Sequence, residues 1–404
     1  MTLVLLLSVG GVGRLDGQAV VGSVHMISSP FMPQFGNRWT FDPQVASHSD
    51  GGASVLWVRG QNDPIIGIIS LALPARGVSP SGAPTTPEAV LGAADCCGFR
   101  IADLAAARSG SDEILVVWEA SGLLRVGVAH RDDFILRDVA DIVPSDPPFA
   151  MAATGDDTLL AYRSGSHFSV RRFEAGAGGE ALPIATQLSG AELDVVGTGS
   201  GGFAAVASGH GVVSLQTYDG KAAHLDPVTT VSADMDLLVR RPTVASLTDD
   251  RLVVVWTSGS SLGALGIRFR LHRTDGTPLS PPRALATSRP GSGIVAPADV
   301  TATPEGGFLA AWAIEVDGGW QVVGRRFGSL GRPIGSEFAV SDAQTYVRDI
   351  SLGDHSGDSS LAVWSGFIEM NLDVYGAAIY SRDAVFVDGF ESGDLTDWSR
   401  AVSP

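Results

Sequence analysis

Short apolar runs recur along the chain, each preceded by a polar turn and closed by a polar brake. Two of them, 111-SDEILVVWEASG-122 and 248-TDDRLVVVWTSGS-260, are nearly superimposable. Five or six consecutive apolar residues are too few for a buried helix, and no 3.6-residue spacing accompanies them. They read as strands that are apolar on both faces, the pattern required where a sheet is covered on each side by another. An all-β fold follows.

The turn–strand unit recurs seven times. Asp50-Gly51-Gly52 leads to Trp57, Ser111-Asp112-Glu113 to Trp118, and Asp156-Asp157 to Tyr162. Gly201-Gly202 leads to Ala207, Asp249-Asp250 to Trp256, Glu305-Gly306-Gly307 to Trp312, and Gly357-Asp358 to Trp364. The steps between these slots are 61, 44, 45, 49, 56 and 52 residues, about the length of a four-stranded propeller blade of ~40–50 residues. Within a unit, 241–247 reads as an inner strand and the Asp-Asp or Gly-Gly pair as a tight hairpin turn. A third strand follows at 266–270, echoed at 322–327 and 169–173, and a Gly-x-Pro turn then introduces an outer strand such as 337–340. A linear solenoid would need shorter, more regular coils, and a ring of seven leaves no exposed terminal edge. The expectation is a seven-bladed β-propeller of four-stranded antiparallel blades over residues 20–382. The outer strand of blade seven comes either from 384–387 or from the N-terminal segment 20–27. The second option repeats the strand order of the other blades and closes the ring.

The pattern P-x-V-A, then D/G-G-x-hydrophobic-V-V-W-x-S, then R-R-F, then G-x-P-I-G-x-E-F-x-V resembles the repeat of large exported bacterial propeller-type repeat proteins. Residues 304–340 match it best, the third and fourth units have drifted, and the resemblance covers about 40–382. It implies the propeller fold and a secreted or cell-surface life, with no single activity attached. The end segment 386-FVDGFESGDLTDWS-399 resembles a tag found near the ends of exported proteins of some Gram-negative bacteria.

Composition adds compartment and partners. The stretch 2-TLVLLLSVGGVG-13 has signal-peptide character, so 1–19 is expected to be a signal peptide and 383–404 a tagged tail. An extracellular, cell-surface or periplasmic location follows. A formal charge of -17 repels phosphate backbones and anionic headgroups, and no apolar run is long enough to span a membrane. The expected partner is a protein or a glycan, bound by a monomer. Cys96 and Cys97 are adjacent and cannot staple distant parts of the fold.

No catalytic motif is visible. The eight histidines are scattered, and the chain lacks a nucleophile elbow, a phosphate loop and a calcium loop. The inner-strand starts Pro43, Ile101, Phe149, Leu193, Pro242, Pro297 and Val347 show no convergent carboxylates, so a non-enzymatic binding or scaffold module is expected ahead of a propeller hydrolase. The turns after the slot strand carry Asp63 in blade one, Glu315 and Asp317 in blade six, and Glu369 and Asp373 in blade seven. These blades adjoin in a closed ring, so the carboxylates are expected to share one rim, where Asp317, Asp373 and Asp63 offer a Ca²⁺ site. No other cofactor is expected. Trp320 offers a flat surface to a sugar ring. The long segment 72–100, rich in Pro, Gly, Ser and Thr, reads as an extended loop beside that rim. Trp57, Trp118, Tyr162, Trp256, Trp312 and Trp364 are assigned to the core.

Overall fold

The computed structural model describes residues 19–29, 38–62, 69–94, 101–109, 113–120, 123–144, 148–155, 157–173, 184–185, 188, 190–220, 227–232, 238–259, 265–287, 298–353, 359–368 and 371–380. The strands group into seven antiparallel sheets, six of which are built from four strands consecutive in sequence. The inner strands are Arg38–Ser47, Ile101–Ser109, Phe149–Thr154, Glu192–Gly197, Leu238–Leu247, Asp299–Ala302 and Tyr346–Gly353. Each packs against the inner strand of the next blade, and the last packs against the first. The ring is closed: this is a seven-bladed β-propeller.

Closure comes from the N-terminal segment. Val20–Val21 and His25–Met26 both pair antiparallel with Asn371–Tyr380, the third strand of blade seven, whose other two strands are Tyr346–Gly353 and Ser359–Ile368. The alternative, 384–387, lies outside the described residues, as do the proposed signal segment through residue 18, Cys96, Cys97 and the tail.

The both-faces-apolar pattern has a direct physical cause. Side chains alternate across a strand, so successive residues of the second strand enter the two neighbouring seams in turn. In blade four, Phe203, Ala205 and Ala207 join blade three, whereas Ala204 and Val206 join blade five. In blade six, Phe308, Ala310 and Trp312 join blade five, whereas Leu309, Ala311 and Ala313 join blade seven. Every slot residue faces the preceding blade, one to a seam: Trp57, Trp118, Tyr162, Ala207, Trp256, Trp312 and Trp364. All seven are buried. Where the slot shrinks to Ala207, a stacked pair in the same seam supplies the aromatic bulk: Phe203 and Tyr218, with ring centroids 4.3 Å apart.

One expectation is corrected. Much of 72–100 is strand: Ile69–Val78 and Ala89–Ala94 are the third and outer strands of blade one. Leu73, Ala75 and Leu91 are buried in the seam with blade two, and this apolar alternation outweighs the loop-like composition. The turn joining these strands emerges on the face opposite the inner-strand starts.

Candidate functional site

In an antiparallel blade, the start of the inner strand and the turn between the second and third strands lie at the same end. That face, the mouth face, therefore gathers the inner-strand starts around the central channel. The turns between first and second and between third and outer strands form the back face.

On the mouth face, blades six and seven build an aromatic shelf. The second and third strands of blade six, Phe308–Val316 and Gly319–Phe327, are joined by Asp317-Gly318, and Trp320 lies opposite Glu315 in the ladder. Glu315 and Asp317 are exposed and Trp320 is half-buried. Its ring meets that of Tyr346, at the start of the inner strand of blade seven, edge-on with centroids 6.1 Å apart. Tyr346 is 47% exposed while its neighbour Val347 is buried. The strand then bulges between Val347 and Asp349. Arg348 projects over Phe41 of blade one, its guanidinium carbon 4.8 Å from the ring centroid.

The shelf is held from below by backbone. Trp320 N–H donates to the Gln344 carbonyl at 2.6 Å, and Gln344 N–H donates to the Trp320 carbonyl at 2.7 Å. This exchange requires Gly319, whose φ is 147°. A Cβ there would stand 2.0 Å from the Gln344 carbonyl oxygen, an approach only glycine allows.

Carboxylates do line the inner strands, and here the sequence reading is corrected. The starts themselves are mostly apolar, but Asp42, Asp194, Asp299 and Asp349 sit beside them. Asp42 accepts the Leu104 N–H of blade two at 2.7 Å, and Asp194 accepts the Val244 N–H of blade five at 2.8 Å. Asp299 accepts the Leu352 N–H of blade seven at 2.7 Å, and Asp349 accepts the Asp42 N–H of blade one at 3.3 Å. An inner strand is an edge strand on its channel side, so its outward N–H groups lack a ladder partner. The carboxylate of one blade satisfies an N–H of the next and ties the two together. Asp194 and Asp299 also accept the N–H of the following residue, each at 2.8 Å.

Both residues are half-buried, with their carboxylates surrounded by protein, and that burial dominates their protonation. It pushes Asp194 up to about 7 against the pull of the Val244 and Val195 N–H groups, with the negative charge of Asp299 adding to the rise. Burial likewise pushes Asp299 up to about 6, opposed by the N–H bonds from Leu352 and Val300. These acids are latches whose charge is expensive to keep. Sequence alone gives only an Asp near each strand start, because the partner is a backbone N–H 50, 53 or 62 residues on or, for Asp349, 307 residues back across the ring closure.

The expected acidic rim is assembled differently. Asp63 and Glu369 lie outside the described residues. Asp373 is not on the rim: it is buried at 5% exposure and accepts the Ser28 hydroxyl at 2.9 Å. Ser28 in turn accepts the Val374 N–H at 3.2 Å, so Asp373 fastens the closing N-terminal segment, which covers it. Among the described residues, no three His, Cys, Asp or Glu side chains gather as a metal site. Glu315, Asp317 and Trp320 do share one place, and the aromatic partner that sequence did not single out is Tyr346.

No protein-family model matches the chain, and no curated protein matches it by sequence. Solved structures do. A Dyadobacter fermentans protein of unknown function aligns over 91% of this chain and 100% of its own, with a TM-score of 0.55 and 11% identity. The BP39L lectin of Burkholderia pseudomallei aligns over 85% of this chain and 96% of its own, with a TM-score of 0.51 and 12% identity. The likeness is one of fold. Among the described residues, no helix is long and apolar enough to cross a membrane.

Proposed function

We propose that this propeller is a secreted or cell-surface recognition module that binds a carbohydrate on the mouth face. The observation that carries the reading is the Trp320–Tyr346 pair. It is an accessible aromatic edge, fixed by a double backbone bond to Gln344 and flanked by the exposed acceptors Glu315 and Asp317. Aromatic faces take the apolar side of a sugar ring, and carboxylates orient its hydroxyls or a bridging cation. A rigid blade carrying such groups on its turns is suited to binding. The same fold serves a lectin, which is compatible with this reading. The inner-strand aspartates are occupied in tying blades together, which favours recognition over hydrolysis.

The test is a polysaccharide and glycan screen on the full chain, run with calcium and with EDTA. Binding to a neutral or cationic glycan in either condition supports the proposal, and calcium dependence brings in Glu315 and Asp317. A blank in both conditions overturns the carbohydrate reading in favour of a protein-binding scaffold.

A further inference from the structure

The back face holds a cavity of about 360 Å³ where blades five and six meet, and its lining is rich in arginine. Four arginines, Arg251, Arg273, Arg283 and Arg332, line it against a single carboxylate, Asp249. The chain carries a formal charge of -17, yet this pocket carries about +3. Salt screens charges beyond about 8 Å at physiological ionic strength, so the local cluster governs what enters.

Two of the guanidiniums are already set in place. Arg251 Nη1 donates to the Ser329 carbonyl at 3.0 Å, and Arg283 Nη1 donates to the Leu330 carbonyl at 3.0 Å and the Gly331 carbonyl at 3.3 Å. Carbonyls orient these groups without neutralising them. Arg273 and Arg332 are exposed. The backbones of both are bonded within their turns, but the Arg332 side chain makes no hydrogen bond or ion pair with a described residue, and the Arg273 side chain acts on Asp275 only through charge. Leu279 and Leu330, 41% and 59% exposed, add apolar walls.

The repeat supplies its own comparison. The equivalent cavity between blades one and two, about 240 Å³, is lined by Arg131 with Asp50 and Asp132. There Arg131 is paired with Asp50 at 2.7 Å and lies 3.7 Å from Asp132. In that seam carboxylates outnumber the one arginine and pair with it, whereas in the seam between blades five and six arginines outnumber the carboxylate four to one.

We infer that the cavity between blades five and six binds a sugar-sized ligand bearing a sulfate or phosphate ester. Guanidinium forks match the oxygen geometry of such groups, and the leucines cover the adjoining ring. A sugar ester fits a cavity of this volume. The site is on the opposite face from the aromatic shelf and stands or falls separately from it.

Calorimetric titrations of the full chain with glucose 6-sulfate, glucose 6-phosphate and glucose test the inference. Both esters are expected to bind and glucose is not. The double variant R273Q/R332Q, whose exposed side chains anchor no strand, is expected to lose affinity by at least about tenfold while melting as wild type does. R131Q, in the equivalent seam of blades one and two, is expected to leave the ester affinity unchanged. Three results would each overturn the proposal: no ester binding up to about 10 mM, the weak end of specific affinity; equal affinity for glucose; or undiminished binding by the double variant.

Discussion

Replacing Ile27 by alanine tests whether the N-terminal segment is part of the ring or merely lies on it. Ile27 is fully buried between blades seven and one, in the cluster that includes Val55, Trp57, Val363 and Val374. It fills the notch above Gly376, where a Cβ would come within 2.5 Å of its Cδ1. The backbone bond from Ile27 N–H to the Val374 carbonyl, 2.8 Å, survives the substitution, as does the bond from Arg76 to the Ile27 carbonyl. Only side-chain packing is removed. Truncating a buried isoleucine to alanine costs about 2–5 kcal/mol, the upper end applying where neighbours cannot collapse into the space. Strands on both sides of this seam hold the neighbours, so the upper half is expected. At a melting entropy of about 2.1 cal/mol/K per residue, a chain of 404 residues would then melt about 4–6 °C lower. The assay is urea unfolding followed by tryptophan fluorescence, with Val24→Ala and Met26→Ala as controls. Val24 and Met26 belong to the same segment but are 43% and 41% exposed, so their truncation should stay within about 0.5 kcal/mol of wild type. If I27A matched those controls, the segment would not close the ring.

Two further variants probe the latch and the shelf. Asp194 binds its proton far more tightly folded than unfolded, its pKa rising from 3.8 to about 7, so wild-type stability should fall as pH rises from about 4 to about 7 and then level off, by at most about 4 kcal/mol. D194N should lose that slope: one of two N–H donors then faces an amide NH₂, which costs about 1–3 kcal/mol near pH 4, and this deficit should shrink or reverse by pH 7, where wild type carries the buried charge; urea midpoints across this range that fall as steeply in the variant would refute the assignment. G319A should break the backbone exchange with Gln344, lowering stability by about 1–3 kcal/mol and abolishing glycan binding with it, and an unchanged melting temperature would show that the approach at Gly319 is not tight.

The blades were legible because each is a local object. A polar turn, an apolar run and a terminal aromatic are read within a dozen residues, and the slot at Trp57, Trp256 or Trp312 needs no knowledge of the partner blade. What sequence left out depends on contacts between distant segments. Asp373 looks like a hairpin-tip carboxylate until Ser28, 345 residues away, closes over it. Asp42 and Asp194 look like ordinary polar residues until the ring brings the N–H groups of Leu104 and Val244 beside them. The arginine pocket draws on three turns of two blades and has no linear signature. The segment 72–100 misled for the opposite reason, since its composition suits a loop while its alternation, Leu73 and Ala75 inward, suits a strand.

The most direct test of the central claim, that recognition takes place on the aromatic shelf, is a titration of the best glycan from the screen against wild type, Y346A and W320A. Tyr346 is largely outside the core, so Y346A should keep the wild-type melting temperature. Losing an aromatic stacking partner of this kind should weaken binding by about tenfold or more, and W320A should weaken it further. Wild-type affinity in both variants would contradict the account and move recognition elsewhere on the ring.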